Sequence, residues 1–174
     1  GDEPYRPARF CNVEVVTNTG LVYGAGETDG AGQFSFTFAD PISVPVRVRL
    51  LARSMSRNIE VQNSFVGSNP IWSFQVVGDT LNPPTNWNVG TVQASIINDP
   101  SGGGRVGNPF NLLDEAINAM DFLSQQANVN LGDPPTLGET LDIRWPRMTT
   151  PTNGSNAVGS TINMGNVSAC DDTV

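Results

Sequence analysis

Two of the side chains that most often carry chemistry are missing from this chain. Its 174 residues include no histidine, and all nine basic residues are arginines. Without histidine there can be no Ser-His-Asp or Cys-His arrangement and no HExxH zinc site. Without lysine there can be no Ser-Lys dyad, no Schiff base and no Lys–Asn isopeptide cross-link. Seventeen acidic residues remain. Two of them could converge for glycoside chemistry, but no local pattern singles out a pair. The expectation is no catalytic residue, and no enzyme in the chain as given.

The acidic turns are the next candidates. Asp29, in Glu27-Thr28-Asp29-Gly30-Ala31-Gly32, and the pair Asp171-Asp172 could offer oxygens to calcium. Calcium wants a full oxygen cage, and neither place has a recognisable ligand loop. A solvated turn is the better reading of Asp29. No metal and no cofactor are expected, calcium being only a weak fit. Trp72, Trp87 and Trp145 could form a carbohydrate platform, although such residues more often anchor a core.

Cys11 and Cys170 lie near opposite ends of the chain. They read either as two buried free thiols or as a disulfide tying the first strand to the C-terminal tail. The disulfide is the expectation. Closing so long a loop contributes about 5 kcal/mol on the chain-entropy model, less any strain. It also implies an extracellular or cell-surface location. Two sequons, Asn153-Gly154-Ser155 and Asn166-Val167-Ser168, are compatible candidates for glycosylation.

Formal net charge is −8 and the isoelectric point near 4.3, so no basic face exists for nucleic acid. No apolar run is long enough for a membrane helix. The chain opens Gly1-Asp2-Glu3 rather than with Met and an apolar stretch, as a processed or excised product would.

These residues must be positioned by short elements, because 18 glycines and 13 prolines punctuate the chain. Residues 1–100 read as a β-sandwich of roughly seven short strands. Phe10–Thr17 places Val13 and Val15 on one face, and Leu21–Tyr23 returns after the Asn18-Thr19-Gly20 turn. Gln33–Phe38 alternates, with Phe34, Phe36 and Phe38 on one side. Val44–Leu50 opposes Val46, Val48 and Leu50 to Arg47 and Arg49. Further strands are expected at Ile59–Phe65, Ile71–Val77 and Thr91–Ile97.

The Gly-rich stretch Asn98–Gly107 is the best module boundary. A small α+β extension, 108–174, follows it. Asn108 as N-cap and Pro109 at the first helical position begin a helix over about 109–126. Its stripe is Phe110, Leu113, Ile117, Met120 and Leu123, and Asp114 and Glu115 lie toward its positive end. Thr140–Trp145 reads as a strand, Thr149–Ser160 as a loop and Thr161–Met164 as a last short strand. The fold class is thus mainly β with one main helix.

Two stretches carry a family resemblance. Thr28-Asp29-Gly30-Ala31-Gly32-Gln33-Phe34, followed by the arginine-bearing run Val44–Leu50 and preceded by Val13-Glu14-Val15, resembles the carboxypeptidase-regulatory-like, or prealbumin-like, domain. Asn108-Pro109-Phe110-Asn111-Leu112-Leu113-Asp114, then Ile143-Arg144-Trp145-Pro146, resembles the region before the HExxH helix in secreted bacterial zinc metallopeptidases that carry such a domain. The resemblance implies an antiparallel prealbumin-like sandwich. It also implies that the strand at Thr161–Met164 forms a substrate-facing sheet edge. The zinc ligands and general base of that family are missing here.

The expectation for function is a noncatalytic extracellular module for binding, support or assembly. Its partners would be another protein or further copies of itself, with no nucleic acid and no membrane span. A self-assembling fibre subunit and a piece of an active zinc peptidase are the alternatives.

Overall fold

The computed structural model describes residues 6–38, 44–64, 68–75, 88–92, 107–126, 140–145, 156–158 and 161–163. Within them the protein is mainly β, with two sheets and one helix.

The first sheet is antiparallel, in the order β2-β1-β3-β6. It contains β1 (Asn12–Thr17), β2 (Val22–Glu27), β3 (Val46–Leu51) and β6 (Ser73–Gln75). The hairpin expected at Asn18-Thr19-Gly20 joins β1 to β2. Gly20 takes φ +86° there, a backbone open to glycine at little cost. β1 is buried on both faces, with Asn12, Val16 and Thr17 buried beside Val13 and Val15. It lies between β2 and β3 in the sheet, and Glu14 is its one half-buried residue.

The second sheet is mixed, in the order β4-β5-β7-β9-β8. Its strands are β4 (Arg53–Ser54), β5 (Ile59–Asn63), β7 (Leu141–Trp145), β8 (Asn156–Val158) and β9 (Thr161–Asn163). β5 pairs with β7, and β7 with β9, in parallel. A parallel pair needs a long crossover, and α1 (Asn108–Gln126) supplies it between β5 and β7.

The chain passes from one sheet to the other at Ala52. β3 ends at Leu51 and β4 begins at Arg53. The buried Ala52 donates its N–H to Trp72 O (2.8 Å), and its carbonyl accepts from Val61 N (2.8 Å). The larger of two core clusters among the described residues includes Val13, Val48, Leu50, Ala52, Ile59, Val61, Phe110, Leu113, Ile117, Ile143 and Trp145, and the smaller joins Val15 to Val46. The β5–β7 pairing and this core both cross the expected division between 1–100 and 108–174.

Several expectations need correction. Gln33–Phe38 keeps its alternation of exposed and half-buried residues but is not a ladder strand. Its rings are instead laid over glycines. A Cβ at Gly24 would sit 2.9 Å from Phe38, and one at Gly26 3.2 Å from Phe36. The phenylalanines thus fill the positions that β2 leaves without side chains. Thr91 and Val92 form no strand, and the rest of Thr91–Ile97 lies outside the described residues. The expected loop Thr149–Ser160 contains β8. β8, not β9, is the edge of the second sheet, so the strand at Thr161–Met164 is internal on its described residues.

The helix falls where its spacing places it, with two differences. Gly107, not Asn108, supplies the carbonyl that accepts the first helical N–H, from Asn111 at 3.1 Å. Phe110, Leu113 and Ile117 are buried and Met120 is half-buried. Leu123, however, is 40% exposed.

Candidate functional site

Cys11 sits at the entrance to β1 and is fully buried. Its Sγ is 2.9 Å from Leu51 O, which accepts its proton. Burial pushes the thiol up to about 12, reinforced by the nearby Glu27 charge and opposed by the Leu51 carbonyl contact. A thiol in that state is a poor nucleophile. Cys170 lies outside the described residues, as do both sequon asparagines, Asn153 and Asn166, and Trp87 and Asp171-Asp172.

The Thr28-Asp29 turn is a latch. Thr28 is buried. Its hydroxyl donates to Ala8 O (2.5 Å) and accepts from Cys11 N (2.9 Å). It therefore brackets Phe10, whose φ of +52° is unfavourable for a bulky residue. Asp29 Oδ1 accepts from Ala31 N (2.8 Å) and Gln33 N (2.9 Å), the local turn expected of Asp. Gly32 has φ +73°, and a Cβ there would lie 2.9 Å from Pro7, so glycine is required twice over.

Glu27 has a similar role. Its Oε1 accepts from the backbone N–H groups of Met55 and of Ser56 (3.0 Å), and from Ser54 Oγ (3.2 Å). That fastens the end of β2 to the turn between β4 and β5. Trp72 and Trp145 are both buried, with ring centroids 5.5 Å apart. Trp72 Nε1 donates to Trp145 O at 2.9 Å. They are core anchors and offer no platform for sugar.

The helix acids meet arginines, and none of them lies in the first turn, where the helix dipole acts. Asp114 takes Arg9 at 2.6 Å, Glu115 takes Arg6 at 2.8 Å, and Asp121 takes Arg57 at 2.8 Å. Arg57 also lies 5.2 Å from the Phe10 ring centre. On the first sheet Arg49 Nε donates to Glu14 at 2.8 Å.

The second sheet has one apolar face, with Ile59, Val61, Ile143 and Trp145 in the core. The alternate positions Glu60, Gln62, Asp142 and Arg144 are half-buried and polar. Glu60 is in register with Asp142, and Gln62 with Arg144. Gln62 Nε2 donates to Glu60 at 2.8 Å, and Arg144 Nε donates to Gln62 at 3.3 Å. Burial raises the Asp142 carboxyl above its ordinary value and the Glu60 charge adds to this, while Arg144 and Gln62 pull it back. Sequence spacing did not bring out this carboxyl pair, because the two acids are joined only by the parallel pairing.

A different surface lies at the β2 edge of the first sheet, where Leu21, Val22 and Tyr23 are 62%, 43% and 42% exposed. Among the described residues there is no group of three or more potential metal ligands. Also among them, no helix is long and apolar enough to cross a membrane. No family model, no curated protein and no solved structure matches this chain.

Proposed function

We propose that this chain is a noncatalytic extracellular module that supports or binds other protein, similar in plan to the N-terminal part of a secreted metallopeptidase. The observation that carries this reading is how the side chains able to do chemistry are spent. The Asp29 and Glu27 carboxylates and the Trp72–Trp145 pair each hold backbone or core in place. Two sheets that meet at Ala52 and share core residues suit a rigid support. The prealbumin-like character of the first sheet, the extracellular setting and a Cys11–Cys170 disulfide belong to the same proposal. Assay of the purified chain on casein and a peptide library with added zinc tests it. The expected result is no turnover. Chelator-sensitive turnover surviving further purification would overturn the noncatalytic reading.

A second reading, assembly of copies of the chain, is favoured by one observation. The β2 edge exposes apolar residues and has no lysine, arginine or proline. Native edges are usually guarded by such residues.

A further inference from the structure

We propose that Arg6–Phe10 is a salt-responsive strap, tied down by ion pairs to α1 and able to lift off as a unit about Phe10 while both sheets stay folded. None of these residues belongs to a strand or helix. Side chains hold them instead. Arg9 Nε donates to Asp114 at 2.7 Å, and its Nη2 donates to Asn118 Oδ1 at 2.6 Å. Arg6 pairs with Glu115 at 2.8 Å. Asp114, Asn118 and Asp121 are spaced to share one face of the helix. Asp121 takes Arg57, whose guanidinium lies 5.2 Å from the centre of the Phe10 ring. Each tie to the helix is therefore a charged one, strong when the solution is dilute and weakened by salt where water reaches it.

Two features set the strap apart from a segment that is simply packed down. The first is its hinge. Phe10 is held at φ +52°, and lifting off lets that backbone relax, so the strain favours release. The second is the independence of what lies beneath. The Cys11 carbonyl accepts from Thr28 N, and β1 beyond it is paired on both sides. α1 is anchored by the buried Phe110, Leu113 and Ile117. Departure of the strap breaks the Thr28 hydroxyl bond to Ala8 O and the arginine ties, but no ladder. Openings of that kind are the least costly a folded chain makes. The strap covers part of the core, because Ala8 and Phe10 pack against the larger cluster. Its release bares that apolar ground beside the carboxylates of Asp114 and Asp121, so ionic strength controls access to it.

Trypsin reads the strap directly, since it can cut Arg9–Phe10 while Arg6–Pro7 resists it. Release of residues 1–9 from the purified 174-residue chain is followed by mass, beside cleavage after Arg49 in β3. A free peptide spanning residues 1–12 corrects for the effect of salt on the protease. Release should outpace cleavage after Arg49, and should quicken about ten-fold from low salt to about 0.5 M sodium chloride. Asp114→Asn should release quickly at low salt already and gain little from more. Glu14→Gln, which breaks an ion pair on the first sheet, should release at the wild-type rate. Hydrogen exchange at the amides of Ala8, Arg9 and Phe10 in wild type repeats the salt series with neither protease nor variant. Release that keeps step with cleavage after Arg49 would overturn the inference. So would wild-type release and exchange that ignore salt, an Asp114→Asn chain as slow as wild type, or a Glu14→Gln chain as fast as Asp114→Asn.

Discussion

Thr28 shows how much one hydroxyl can hold. It satisfies a carbonyl and an N–H on either side of a strained Phe10. Thr28→Val keeps the shape and orphans both groups. It should cost about 1–3 kcal/mol, read as a lower urea midpoint, whereas Thr28→Ser should recover most of the loss. Cys11 gives a prediction in pH. In the reduced protein its folded value, about 12, lies above the ordinary 9.0. The stability it contributes is therefore present below pH 9 and is lost as pH rises from there toward 12. Cys11→Ala should flatten that alkaline decline. If instead the native protein holds a Cys11–Cys170 disulfide, mass spectrometry with and without reduction before alkylation will show it. Asp142 works in the same direction at acid pH. Its raised carboxyl favours the folded state when protonated, and that contribution disappears as pH climbs through the folded value. Asp142→Asn should thus raise the urea midpoint at neutral pH and leave it little changed at pH 3.

At the level of elements, the helix and strands β1, β3, β5 and β7 were legible because each carries its own period. Phe110, Leu113 and Ile117 are spaced for one helical face and are buried. Leu113→Ala or Ile117→Ala should lower stability by about 2–5 kcal/mol, while Leu123→Ala, at a 40% exposed position, should shift the denaturation midpoint little. The Phe34-Phe36-Phe38 alternation was equally clear, yet its partner was not. A period of two reports one buried face and says nothing about which backbone, if any, completes a ladder. β8 was missed because Asn156, Ala157 and Val158 carry no such signal. It exists through antiparallel pairing with β9. The candidate surfaces were harder still. The exposure of Leu21 and Tyr23 and the neighbouring of Glu60 with Asp142 follow from strand order, which local spacing does not encode.

Across the whole molecule, the pairing of β5 with β7 joins backbone 82 residues apart in the chain. Hairpin β1–β2 and strand β3 can find one another early, since only residues up to Leu51 take part. The second sheet has to wait. During synthesis Ile59 and Val61 leave the ribosome well before Ile143 and Trp145 that will cover them, and chain closure over that distance is slow. Folding should therefore run in two stages, with a half-built state whose sticky β5 margin is open to chaperones or to wrong partners. In pulse-labelling hydrogen exchange, amides of β1 and β3 should become protected before those of β5 and β7. The meeting of the two sheets at Ala52 makes that delay matter for the finished half too, because the first sheet reaches its final rigidity only when the last third of the chain arrives.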